Sequence, residues 1–289
     1  MEGMTTLIAT LDGQIHPPET LLLRADDLGV LRADGVFDVA RCVAGEVHDL
    51  EAHLERFSRS AQALELPQPD REAYRRAIDA LVTAWDWDAH REATLRLVLT
   101  RGPAGQPPTG WAALEELSAA ALRARQHGVR VITLDKGFDP ADTSEVAWQP
   151  SGAKTLGYTD AMAALRYAKR HSADDVIFHT PAGAVLEGAT SAVLIEHEGR
   201  IITPKHPGIL QSTSVARLET ALASRGVTLT REPVTQDQLS DPDFVGGLWL
   251  VSSGRLLVRV TELNGKAVPT GSLDGTLREI VFTDAANRP

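Results

Sequence analysis

The spacing of apolar residues along this chain switches repeatedly between a step of two and a step of three to four. The switching occurs on both sides of one stretch, 135–150, that has no period at all. This constrains the fold strongly, because side chains on one face repeat every two residues in a strand and every 3.6 in a helix. Before that stretch, residues 6–50 give short strands and turns: Leu7 to Thr10, Val36 to Ala40, and Glu46 to His48 after the Ala44-Gly45 turn. Leu50, Leu54, Phe57, Ala61 and Leu64 then share a helical face, with Asp49 placed to cap its start. Arg71 to Trp85 predicts a second helix, and Thr94 to Leu99 a strand. Trp111 to His127 permits two readings, a helix throughout or a strand at 111–116 followed by a short helix. Gly128 opens a strand, Val129 to Leu134.

Beyond the aperiodic stretch, Thr159 can cap a helix that carries Ala161, Met162, Leu165 and Ala168 on one face. Strands are expected at Val176 to Phe178, Val185-Leu186, 192–195, 200–203, 248–251 and 256–260. A helix from about Ser214 to Ser224 stops at Gly226, and Asn264-Gly265 is a hairpin turn signal. The pattern predicts an α+β protein of two domains: an N-terminal α/β domain over 1–134, a linker over 135–150, and a C-terminal domain over 151–289.

Several function classes are disfavoured at once. No apolar run approaches the ~20 residues that span a bilayer, and the N-terminus lacks the order of a signal peptide. Cys42 is the only cysteine, so neither a disulfide framework nor a thiolate cluster is expected. Net charge is −10 with no basic stripe, which argues against nucleic acid. The histidines show no ligand spacing, so no metal is expected. Glycine-rich nucleotide loops and a Gly-x-Ser-x-Gly elbow are absent from the sequence. The expectation is a cytoplasmic protein that acts on a small molecule.

Lys154, in Ala153-Lys154-Thr155-Leu156-Gly157-Tyr158, carries the chemistry together with Glu187 in Leu186-Glu187-Gly188-Ala189-Thr190-Ser191. A lysine taken at random is a solvated surface charge. A lysine after a polar turn, followed by a carboxylate in a strand-turn pattern, suits pyridoxal phosphate. The amine links to the cofactor carbonyl, and the carboxylate keeps the ring nitrogen protonated so that the ring accepts electrons.

Other segments join this pair in order: Asp34-Gly35-Val36-Phe37 with His53-Leu54-Glu55-Arg56-Phe57, then Gly208 to Ser214, then Leu250-Val251-Ser252-Ser253. Together they resemble the fold-type IV pyridoxal-phosphate enzymes, which include branched-chain and D-amino-acid aminotransferases and 4-amino-4-deoxychorismate lyase. The resemblance covers nearly the whole chain. The chain length and the Asp27-Leu28-Gly29 to Phe37 opening are closer to the lyase and D-amino-acid branch.

The resemblance implies a smaller N-terminal α/β domain and a larger C-terminal domain with a barrel-like sheet, the cofactor between them, and a homodimer. It implies that Arg56 binds the cofactor phosphate. Helix phase agrees in part, since Arg56 lies on the flank of the apolar face and Arg59 on the solvent side. Thr213 and Ser214, at a helix start, and Ser253, at a strand end, are the further phosphate ligands expected. Ser212 stands where the family has glycine, and Gly157 where relatives have asparagine beside Tyr158, the residue expected to hydrogen-bond the cofactor ring oxygen. Arg101 and Arg255 are the candidates for the substrate carboxylates. The implied activity is the lyase reaction of folate synthesis, which releases 4-aminobenzoate and pyruvate. The alternatives are a D-amino-acid or branched-chain transaminase and, from another class, a catalytically inactive homologue.

Overall fold

In the computed structural model, which describes residues 5–144, 146 and 148–283, backbone pairing divides the chain elsewhere than at the aperiodic stretch. One unit holds the described residues up to Ser118 together with Gly152–Tyr158; the other holds Ala119–Ser151 and the described residues from Thr159 onward. Local period finds strands but not their partners, and here the partners decide. Residues 129–135, expected to close the first domain, pair in parallel with strands of the second unit. Residues 152–158, expected to open the second domain, run beside a strand of the first: Phe37 N donates to Lys154 O at 3.0 Å and Leu156 N to Gly35 O at 2.9 Å. Of the expected linker, Asp135 ends a strand and Ala141–Ser144 is helical, while positions 145 and 147 lie outside the described residues.

The first unit is an antiparallel sheet of six strands with helices on it. In chain order these are β1 (Thr6–Thr10), β2 (Ile15–His16), α1 (Leu28–Arg32), β3 (Gly35–Val43), β4 (Glu46–Val47), α2 (Leu50–Ala63), α3 (Arg71–Ala84), β5 (Glu92–Thr100) and β6 (Thr109–Glu116). The order across the sheet is β2-β1-β6-β5-β3-β4. β3 and β5 pair from Gly35↔Thr100 to Val43↔Glu92. Leu54, Phe57 and Ala61 of α2 and Tyr74, Ala77 and Leu81 of α3 share one core with Val36, Ala40, Leu95, Leu97 and Leu114 of the sheet. Trp85 and Trp87 pack there too. Asp49 occupies the N-cap of α2 as expected but does not cap it: its φ is 54° and its side chain makes no capping hydrogen bond.

The second unit comprises α4 (Ala119–His127), β7 (Val129–Asp135), α5 (Ala141–Ser144), α6 (Thr159–Arg170), β8 (Asp175–His179), β9 (Val185–Gly188), β10 (Ala192–His197), β11 (Arg200–Pro204), α7 (Thr213–Ala223), β12 (Leu229–Glu232), α8 (Gln236–Ser240), β13 (Gly247–Ser252), β14 (Leu256–Leu263), β15 (Lys266–Ala267) and α9 (Asp274–Thr283). Its nine strands form a mixed half-barrel sheet, ordered β12-β11-β10-β13-β14-β7-β8-β9 with β15 on β14. Both faces of this sheet are covered. Val193, Ile195, Leu248 and Leu250 join one core, and the alternating Leu194, Trp249 and Val251 join another with Leu218, Leu222 and Leu277. That explains the unbroken apolar runs of β10 and β13. Trp111 to His127 takes the second of its two readings, β6 then α4, because β6 is claimed by pairing with β1 and β5. Asn264 and Gly265 both adopt positive φ, 50° and 79°, as the tight turn between β14 and β15 demands.

Candidate active site

Lys154 is held by its backbone on both sides. Its amide donates to Ser60 Oγ of α2 at 3.1 Å, and its carbonyl accepts from Phe37 of β3. Gly35 permits this approach: a Cβ there would lie 2.7 Å from Leu156 Cδ1 and 2.7 Å from Leu99 O. The half-buried Lys154 amine donates to the Tyr158 hydroxyl at 3.0 Å and lies 4.5 Å from the centroid of the Phe37 ring. Phe37 and Tyr158 meet edge to face at 5.1 Å. Tyr158, which follows Gly157, is thus in contact with the lysine.

Arg56 sits deeper than its flank position suggests. It is buried, and its Nε and Nη2 donate in parallel, each at 2.8 Å, to the two oxygens of Asp38. Asp38 is itself fully buried in β3 and is also 2.7 Å from His53 Nδ1. Burial works to raise the Asp38 pKa, but the hydrogen bonds from Arg56 and His53 outweigh it and hold the carboxyl below its ordinary range. Arg59 behaves as expected, exposed and paired with Glu55 at 2.9 Å.

In the second unit, α7 begins at Thr213, with Ser214 next, and both are partly exposed. Ser212 is the cap, its Oγ accepting from Val215 N at 3.2 Å. Its φ of −80° and ψ of 121° are extended backbone, so the position expected to be glycine accepts serine without strain. Glu187 lies partly buried on β9, followed by a turn in which Gly188 N donates to Ser191 O at 2.8 Å. Ser191 Oγ is 3.5 Å from Arg255 Nη2. Arg255 Nη1 lies 2.6 Å from the buried Asp175 Oδ2, at ion-pair distance though not aligned as a hydrogen bond. The turn that carries Ser253 is held by Arg125, which donates to Gly254 O at 2.7 Å and to Arg255 O at 3.0 Å.

Arg101 has a structural task. Its Nε donates to Asp34 at 2.5 Å, and its other nitrogens donate to the Leu64 and Glu65 carbonyls at 2.6 and 3.3 Å. Leu28 N also donates to Gly102 O at 3.0 Å, and buried Asp27 accepts from Thr100 Oγ1 at 2.9 Å, so segments 27–34 and 100–103 form one bonded network.

Within the first unit, then, the segment that carries Lys154 and Tyr158 is bonded to β3 and to α2, and α2 also carries Arg56. Within the second, the turn after Glu187 is closed by Gly188 N on Ser191 O, and Ser191 Oγ lies near Arg255, two residues after Ser253. Sequence reasoning missed Asp38, Ser60, Asp175 and Arg125. Only Asp38 left a signal, a carboxylate inside the apolar run Val36-Phe37-Asp38-Val39-Ala40. Among the described residues, no group of three or more His, Cys, Asp or Glu could hold a metal ion, and no helix is long and apolar enough to cross a membrane.

The sequence pattern described as amino-transferase class IV matches residues 35–263. The chain is 38% identical, over 97% of its own length and 98% of the relative's, to a bifunctional aminodeoxychorismate lyase / D-amino acid transaminase of Mycobacterium tuberculosis. A solved hypothetical aminotransferase of that organism, in a PLP-bound form, is 35% identical with a TM-score of 0.89, covering 96% of this chain and 99% of that one. Its form with alpha-ketoglutarate and PMP bound matches with the same identity, TM-score and coverage.

Proposed function

The chain belongs to the class IV aminotransferases and is a pyridoxal-phosphate enzyme, and from that membership we propose that it is a 4-amino-4-deoxychorismate lyase. The carrying observation is its likeness, over nearly the whole of both chains, to a relative named for that activity.

The residues present fit the cofactor. They include an amine held half-buried against two aromatic rings, a guanidinium fixed by a buried carboxylate, and a helix N-terminus flanked by hydroxyls. When bound, pyridoxal phosphate supplies an electron-accepting ring joined to the substrate amine. We assign Lys154 as its anchor, Tyr158 to the ring oxygen, and Glu187 to the ring nitrogen, which it keeps protonated. Arg56, the Thr213 amide, Ser214 and Ser253 would hold the phosphate.

The Lys154 amine, when not joined to the cofactor, would remove the proton from the amine-bearing carbon of the substrate. The bond from the ring carbon to the enolpyruvyl oxygen breaks, the six-membered ring becomes aromatic, and the departing enolpyruvyl group takes up a proton to become pyruvate. Substrate and products balance with no further reagent. Arg255, with 21% of its side chain exposed, is the candidate for a substrate carboxylate; Arg101 would first have to release Asp34. The same proposal includes a cytoplasmic homodimer serving folate synthesis.

A second reading, D-amino-acid transamination, is favoured by the same relative's bifunctional name and by the solved form holding alpha-ketoglutarate and PMP. The two diverge after proton removal, because a transaminase requires a keto acid acceptor. Purified enzyme is expected to give equal amounts of 4-aminobenzoate and pyruvate from aminodeoxychorismate with no keto acid added, and excess 2-oxoglutarate should not accelerate it. Amino exchange between D-alanine or leucine and 2-oxoglutarate, with no 4-aminobenzoate formed, would sink the lyase and leave the transaminase.

A further inference from the structure

We propose that Asp38 is a positioning residue: it sets the Arg56 guanidinium at the place, relative to Lys154, where one phosphorylated cofactor needs its phosphate held. This rests on the pyridoxal-phosphate reading of Lys154 and Arg56.

The geometry lies wholly within the first unit. Phe37 and Asp38 are consecutive on β3; Arg56 and Ser60 are one turn apart on α2. Phe37 N holds the Lys154 carbonyl, and Ser60 Oγ holds the Lys154 amide. Asp38 holds Arg56. β3 therefore holds the lysine through Phe37 and the arginine through Asp38, while α2 holds the lysine through Ser60 and carries the arginine. The separation between a carbonyl anchor and a phosphate anchor is thus tied to a packed strand and helix, to which the Lys154 segment is bonded on both sides of the residue.

The hydrogen bonds indicate why the residue is a carboxylate. Burying one costs several kcal/mol unless it is fully paired, so an aliphatic side chain would serve a sheet core better. Here Oδ1 accepts from Val39 N at 2.7 Å and from Arg56 Nη2 at 2.8 Å, with His53 Nδ1 2.7 Å away; Oδ2 accepts from Arg56 Nε at 2.8 Å. Two parallel bonds fix the plane and direction of a guanidinium, which one bond cannot do. His53, three residues before Arg56 on α2, holds the same carboxylate and restrains its rotation.

The sign of the effect separates positioning from simple electrostatics. A carboxylate near a bound phosphate repels it. If Arg56 stayed in place without Asp38, removing that charge would tighten phosphate binding. Positioning demands the reverse.

The test compares pyridoxal phosphate with pyridoxal, which lacks the phosphate. Full-length chain stripped of cofactor is titrated with each, and the Lys154-linked chromophore is followed by absorbance. Wild type should prefer the phosphorylated form. Asp38→Asn should cut that preference about tenfold or more, toward the value for Arg56→Ala, with pyridoxal affinity unchanged. A preference that is retained or increased in Asp38→Asn overturns the proposal. So does an equal loss of affinity for both compounds, which marks a scaffold residue only. Should Asp38→Asn fail to fold, Asp38→Glu keeps the charge but displaces the fork by one methylene; it should lower the preference selectively, and an unchanged preference again overturns the proposal. A wild-type chain that gives no Lys154 chromophore, or an Arg56→Ala chain with full preference, overturns the cofactor reading beneath it as well.

Discussion

Lys154 and Glu187 can be proposed from the sequence because the chemistry assigned to them calls for those residue types: an amine to link a carbonyl, and a carboxylate to hold a proton on a ring. Their supports were not legible. Ser60 is an ordinary helix serine until its Oγ meets the Lys154 amide, and Asp175 an ordinary strand-start aspartate until it meets Arg255. Nothing local distinguishes such residues, since each acts through a partner tens of residues away. Glu187 offers the test at this scale. Glu187→Gln should still be trapped with cofactor by borohydride on the peptide that contains Lys154, because the link to the amine does not need Glu187. Turnover should fall by about a hundredfold or more, because a neutral amide does not keep the ring nitrogen protonated. Unchanged turnover, measured as 4-aminobenzoate release, would make Glu187 a residue of the turn and nothing more.

Elements with a clear period and a stop signal came through well. α7 ends just before Gly226, and the apolar face of α2 is the one that packs. The N-termini were harder, because a polar residue before a helix caps only if its backbone allows it. Asp49 has the right side chain at φ 54° and does not cap; Ser212, in a segment that the sequence reads as a phosphate site or a plain cap, is extended and does. Ser212→Ala should therefore lower stability by about 0.5–2 kcal/mol, and Ser212→Gly by only a few tenths. Urea unfolding of the two variants would check this. Equal losses would mean that the hydroxyl contributes nothing to α7. Arg101 teaches the same lesson for loops: its charge made it a candidate for a substrate carboxylate, but its bonds to Asp34 and the end of α2 left no local signal.

For the molecule as a whole, buried ionised groups make stability depend on pH. Asp38 is the clearest case, with its folded pKa held below the ordinary 3.8. A depressed carboxyl contributes stability that is fully present above its unfolded pKa and is lost as pH falls through the folded value. Wild type should thus lose unfolding free energy as pH falls below about 4, the ordinary carboxyl value, and Asp38→Asn should lose less over the same acid range. An identical acid slope in both would show that the fold does not hold the Asp38 carboxyl below its ordinary range. The sequence by itself determined the α+β class, the existence of two halves and the cofactor chemistry, since period and residue type are properties of neighbours along the chain. Only the tertiary structure decided that β7 belongs with the second unit, that Gly152–Tyr158 belongs with the first, and that Asp38 grips Arg56. A strand's partner and a carboxylate's partner are set by which distant surfaces pack together, and no local pattern encodes that choice.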